Sequence, residues 1–114
     1  MKPLDDILAL ADAPVAVTPP RAKAPVYFRW PSFAEWHDLA QAHRKLAGQD
    51  PPADLIARTV ATVLADETGK RCYRDDQTGE LLKASPRTLM WLYVKAWETV
   101  LRNDEQAVKE EEGN

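Results

Sequence analysis

SPRTLMWLYVKAWETVLRN, residues 85–103, carries the clearest helical signal in the chain, because its period, start signal and stop signal agree. Ser85 is a good N-cap, and Pro86 suits the first helical position, where its missing N–H costs nothing and its fixed φ is already helical. Leu89, Met90, Tyr93, Val94, Trp97, Val100 and Leu101 recur at three-and-four spacing, which predicts one core-facing stripe. The opposite side carries Arg87, Lys95, Glu98 and Arg102, and Trp91 falls among them, one helical turn from both Arg87 and Lys95. An indole on a charged stripe has two readings. Either the ring lies under the cationic stems or a neighbouring segment, or it anchors a partner, since Trp and Arg are enriched among residues that dominate binding energy. On the second reading Trp91, Arg87, Lys95 and Arg102 make a partner-binding site. Trp91→Ala would then spare the fold and weaken capture, whereas Trp97→Ala would mainly destabilise it.

Working back from that helix, the segment LADETGKRCYRDDQTGELLKAS holds two Thr-Gly pairs, at Thr68-Gly69 and Thr78-Gly79. Both glycines are expected to supply positive φ in turns that bracket a short extended piece, Lys70 to Tyr73. Asp66, Glu67, Asp75 and Asp76 read as a solvated turn, because Lys70 occupies a place where a calcium loop needs an oxygen ligand. Before this, Asp50-Pro51-Pro52 repeats the cap-then-proline start, and the spacing predicts a helix to about Ala65 with Ile56, Val60, Val63 and Leu64 inward. Ser32 and Glu35 form an S-x-x-E capping box for a further helix. It groups Phe33, Trp36, Leu39, Ala40, His43, Leu46 and Ala47 on one side and ends at Gly48. The short connection makes these two helices antiparallel neighbours, a helical hairpin. His43 lies within the apolar face with no nucleophile or acid at a neighbouring turn, so it reads as a hydrogen-bonded, semi-buried histidine. His37 points elsewhere, so the pair makes no metal site.

At the start of the chain Leu4, Ile7, Leu8 and Ala11 follow a helical period over a segment too short to be stable alone, so it must dock on something to be ordered. Pro14, Pro19, Pro20 and Pro25 then forbid a helix. Val15 with Val17 and Val26 with Phe28 alternate, as strands of a hairpin around Pro19-Pro20 would, and a plain linker is the other reading. The end of the chain, 104–114, collects acids and no apolar face, which predicts a tail dispensable for folding. The expected architecture is a mainly α, small helical domain, a helical hairpin plus a long C-terminal helix, with a short N-terminal β-hairpin at most. Its parts are 1–25 (short helix and Pro-rich stretch), 26–103 (helical domain) and 104–114 (acidic tail).

With 114 residues and a net charge of −3, the chain is one domain at most, and its acidic balance disfavours nonspecific nucleic-acid binding. Cys72 is the single cysteine, so no disulfide forms within the chain. No apolar run approaches the roughly 20 residues that span a bilayer, and acids stand where a signal peptide needs positive charge, which predicts a cytoplasmic protein without membrane contact. There is no Gly-rich phosphate loop, His-Glu-x-x-His or G-x-S-x-G, so neither cofactor nor metal is expected, and a binding or assembly protein is a better reading than an enzyme. A small helical DNA-binding regulator is the rival, opposed by the acidic balance and by Glu98 on the helix that bears Arg87, Lys95 and Arg102.

The segment from Leu64 to Asn103 resembles the C-terminal half of the phage tail assembly chaperones of long-tailed, noncontractile phages and prophages. The matching features are Asp66-Glu67-Thr68-Gly69-Lys70, Tyr73, Asp75-Asp76, Gly79, Ser85-Pro86 and Asn103. DDILALADAP and VYFRWPSFAEWHDL are similar to the family's opening helix and its extended V-Y-x-R piece, so the resemblance spans about Leu4 to Asn103. It implies a non-enzymatic protein of the infected host's cytoplasm, absent from the finished virion. Such a protein coats the tape measure protein, keeps it soluble and helps tail tube assembly. The major tail tube protein would be met mainly through a frameshift-extended product, and weak self-association is compatible with the role. Four tryptophans, Trp30, Trp36, Trp91 and Trp97, exceed what so small a core requires, as expected of a chaperone with accessible aromatic surface.

Overall fold

The computed structural model describes residues 13–102, so the expected opening helix at Leu4–Ala11, Asn103 and the acidic tail lie outside the described residues. The described chain is mainly α, with a small three-stranded antiparallel sheet at its N-terminal side. β1 (Val15–Val17) and β2 (Val26–Phe28) form the hairpin, in the register Val15 opposite Phe28 and Val17 opposite Val26. The turn closes where Ala22 N–H donates to Pro19 C=O at 3.1 Å, with Arg21 in the left-handed region at φ 68°. Val15, Val17 and Val26 pack on the same core as the helices, so the hairpin belongs to one body with them, although the expected boundary at 25/26 runs between its strands.

α1 spans Phe33–Arg44 and begins in the capping box, with Ser32 N–H donating to Glu35 Oε1 at 2.8 Å and Glu35 N–H to Ser32 Oγ at 3.2 Å. It ends earlier than Gly48 suggests: the chain tightens through Lys45–Gly48, with Ala47 at φ 51° and Gly48 at φ 87°. α2 spans Ala53–Val63; Pro52 is its cap residue and no side chain caps it, so the N-cap role expected of Asp50 is not realised. α2 is the centre of the molecule, burying Leu55, Ala57, Thr59, Val60, Ala61, Thr62 and Val63. Its two buried hydroxyls are satisfied within the helix, Thr59 Oγ1 donating to Leu55 C=O at 2.7 Å and Thr62 Oγ1 to Arg58 C=O at 2.8 Å.

The chain leaves α2 directly into β3 (Leu64–Ala65), which pairs with β2, so Leu64 belongs to a strand rather than to the helix. The next turn is as expected: Gly69 sits at φ 89°, and Asp66 Oδ1 accepts from the Thr68 and Lys70 amides at 2.9 and 3.1 Å. The extended piece after it reduces to a bridge between Arg71 and Ala65. The second Thr-Gly pair is no positive-φ turn. A 3-10 turn at Asp75–Gln77 runs straight into α3 (Thr78–Leu81), and Gly79 is helical within it.

α4 spans Pro86–Thr99, starts with Ser85 Oγ accepting from Thr88 N–H at 3.2 Å, and packs chiefly on α2. Its buried stripe is Leu89, Leu92 and Ala96, continued by Val100 and Leu101 past the helix end. The expected stripe is therefore turned: Met90 and Val94 are 40% and 46% exposed, while Leu92 and Ala96, left off it, face α2. Ala96 is fully buried and small enough to let two helices approach closely, whereas Met90 and Val94 stay exposed to solvent. Two flanks border the stripe, Trp91 on one side and Tyr93 with Trp97 on the other.

Candidate functional site

Two apolar concavities lie at opposite ends of α4. The first, about 450 Å³, is lined by Pro19, Pro20, Arg21 and Val26 of the hairpin and by Arg87, Thr88, Trp91 and Leu92 of α4. Trp91 is half-buried there and packs against the core, so the placement on an outward, charged face is corrected. The ring and the hairpin turn border this concavity from two sides, and the ring's packing is against the core.

The second is an open groove in two contiguous parts. One, about 380 Å³, is lined by Trp30, Pro31, Ser32, Phe33, Trp36, Val100 and Arg102. The other, about 490 Å³, adds Ala40, His43, Arg44, Trp97 and Leu101, with Trp36 and Arg102 common to both. Phe33 is 75% exposed although it occupies the first turn of α1 on that helix's apolar side, and Trp30 is 37% exposed. Among the described residues no carboxylate lines either part, whereas Arg44 and Arg102 do.

Each aromatic is held from behind. Trp36 Nε1 donates to Leu101 C=O at 3.2 Å, just past the end of α4. Phe33 sits 5.7 Å from Trp36, tilted, and 5.7 Å from the His37 ring, stacked. Trp30 Nε1 donates to Ala13 C=O at 3.0 Å, which ties the chain before β1 to the groove rim. Arg29 Nη2 meets Glu35 Oε2 at 2.6 Å and braces the loop that carries Trp30 onto the start of α1. Burial alone would raise the Glu35 carboxyl, but hydrogen bonds from Arg29 and the Ser32 amide outweigh it and hold it below the ordinary carboxylate value.

The groove floor is a polar and aromatic knot between α1 and α4. His43 Nδ1 lies 2.6 Å from Leu39 C=O, and a carbonyl can only accept, so Nδ1 carries the proton. In the neutral ring Nε2 is then the acceptor for Tyr93 O–H at 2.8 Å. The His43 ring stacks on Tyr93 and meets Trp97 edge-on at 4.7 Å. Burial pushes the Tyr93 phenol up; the buried Trp97 indole N–H near it offsets part of that, without the geometry of a true hydrogen bond. His43 is thus the semi-buried, hydrogen-bonded residue that the sequence suggests.

No family model, characterised protein or solved structure matches the chain. Of the four residues singled out on the C-terminal helix, Arg87 and Trp91 share the concavity beside the hairpin. Lys95 pairs with Glu98 at 3.3 Å, and Arg102 lies across the molecule in the open groove. The structure does not gather them into one site. Sequence reasoning missed Trp30 and Phe33 as site residues, although the surplus of tryptophans was a signal for them. Among the described residues no three His, Cys, Asp or Glu side chains converge as metal ligands would, and no helix is long and apolar enough to cross a membrane.

Proposed function

We propose that the chain is a non-catalytic phage tail assembly chaperone that binds the tape measure protein through the Trp30–Phe33–Trp36 groove, keeps it soluble, and hands it to tube subunits in the host cytoplasm without entering the virion. The observation that carries this reading is Phe33, three-quarters exposed between two tryptophans and beside Arg102, where a monomer has no structural need for a bare aromatic ring. A groove with an aromatic floor and a cationic rim suits the apolar face of an amphipathic client helix flanked by acids. Its modest size favours weak contacts repeated along a long client, which tube subunits can later displace. The resemblance of residues 64–103 to the chaperone family supplies the client's identity.

Co-expression with a tape measure protein from the same gene neighbourhood tests the proposal. The wild-type chain should move the client from the insoluble to the soluble fraction and co-purify with it, and Phe33→Ala should lose most of that effect. A client that remains insoluble with the wild-type chain would overturn the proposal, as would a gene neighbourhood without a tape measure protein.

A further inference from the structure

The concavity at the N-terminal end of α4 combines apolar walls with unpaired cations. Pro19, Pro20, Trp91 and Leu92 make the walls, about 450 Å³ of space lies between them, and Arg21 and Arg87 border it. Both arginines are exposed, and among the described residues neither has an ion-pair partner. No carboxylate of the described residues lines the space.

One of the two cations is placed at a cost. Arg21 is the third residue of the turn that Ala22 N–H closes on Pro19 C=O, and its φ is 68°. Positive φ at that position of a turn suits Gly or Asn, and any other side chain there strains the backbone. Glycine would close the same turn more easily, so an arginine there, on the lining of an apolar concavity, points to a use for its charge. The walls are fixed in advance as well. Proline has no freedom in φ, the turn is hydrogen-bonded, and Trp91 packs on the core, so an entering molecule has little to order. A mostly apolar pocket of this volume with a few polar groups suits a small molecule, whereas a stable protein interface needs roughly 800 Å² from each partner.

We propose that this concavity binds a small amphipathic carboxylate, its apolar body lying between Pro19-Pro20 and Trp91 and its anionic head meeting Arg21 and Arg87. The planar guanidinium fork matches a carboxylate, and apolar walls beside it select an acid that carries a hydrophobic body. Such a ligand touches the β1–β2 turn and α4 together, so its binding stabilises the folded chain. The site lies at the other end of α4 from the Trp30–Phe33–Trp36 groove and holds whether or not that groove takes a client.

Nuclear magnetic resonance titration of the isotope-labelled full chain tests it, with the tryptophan indole N–H signals as reporters. Phenylbutyrate and octanoate are the acids; phenylbutyramide has the same body without the charge, and acetate has the head without the body. The expected result is that both acids shift the Trp91 indole more than the Trp30 or Trp36 indole, bind severalfold more tightly than phenylbutyramide or acetate, and raise the Tm. Arg21→Gly, which the turn accepts, and Arg87→Gln are made separately, so that the test survives a failure of either to fold. Each folded variant should bind the two acids severalfold more weakly. Phenylbutyramide binding as tightly as phenylbutyrate would overturn the proposal, as would acid binding unchanged in a folded variant, shifts largest at Trp30 or Trp36, or no shift at Trp91. The peptide acetyl-Glu-Leu-Leu-Glu-amide binding at Trp91 more tightly than either acid would give the site to a protein segment, and would equally overturn it.

Discussion

The two ends of α4 (Pro86–Thr99) present the same ingredients, a tryptophan, an arginine and proline, and the fold treats them differently. At the N-terminal end Trp91 packs against the core, and the β1–β2 turn borders the concavity beside it. At the C-terminal end nothing in residues 13–102 covers Phe33, and the groove between α1 and α4 stays open. An aromatic residue on a helix is structural or available according to what a distant segment does. The two ends should therefore answer mutation in opposite ways, and the variants below are arranged to break that contrast.

The largest effect on the fold is expected at the packed end. Trp91→Ala removes a half-buried ring that packs on the core, and the loss should be about 2 kcal/mol, below the roughly 3–5 kcal/mol of a fully buried aromatic. For a domain of this size that is a drop in Tm of roughly 10 °C, read by calorimetry or circular dichroism. A melt unchanged within about 2 °C would return Trp91 to the solvent side and make it a candidate anchor again.

Below that comes the knot under the open groove. Tyr93→Phe keeps the ring and deletes the hydroxyl that His43 Nε2 accepts from, which should cost about 1 kcal/mol in chemical denaturation. The same variant sharpens the contrast, because it loosens α1 against α4 and leaves the hairpin end untouched. Stability equal to wild type would show that the hydrogen bond is exchanged for water at no cost.

How much of this was legible in the sequence depends on whether the deciding neighbour was local. The Ser32–Glu35 box and the Ser85-Pro86 start were readable because each is closed by residues within one turn. Alternation on either side of a proline pair allowed a hairpin but equally a plain linker, and pairing with β3 decides for the hairpin, while the polar role of His43 was readable from its place among apolar neighbours. The stripe of α4 was misread because it has more apolar positions than one face can hold, and only the placement of α2 (Ala53–Val63) selects Leu92 and Ala96 over Met90 and Val94. Gly79 was misread because a Thr-Gly pair suits a turn or the first residues of a helix, and the preceding 3-10 turn decides the matter. The groove was hidden for the same reason. Trp30 sits in a loop, Phe33 on the first turn of α1 and Arg102 beyond the end of α4, and only tertiary packing brings them together.

The smallest effect expected is a pH dependence at the open end. The folded-state Glu35 carboxyl lies below its ordinary value, so its contribution is present above about pH 4.5 and is lost as pH falls through the folded value. Stability measured from pH 6 down to pH 2 should fall more steeply for the wild-type chain than for Glu35→Gln, by a modest margin because the pair is partly solvated. Parallel curves would mean that the Arg29–Glu35 brace does not hold the loop carrying Trp30.

The central claim is that the Trp30–Phe33–Trp36 groove binds a partner without being needed for the fold, and one paired measurement on Phe33→Ala tests it most directly. Thermal stability and the affinity for a tape measure fragment are measured on the same preparation. The account predicts a stability change within about 0.5 kcal/mol and an affinity loss of about 2 kcal/mol, roughly thirtyfold. A variant that melts far below wild type, or one that binds the fragment as tightly as wild type does, would contradict it.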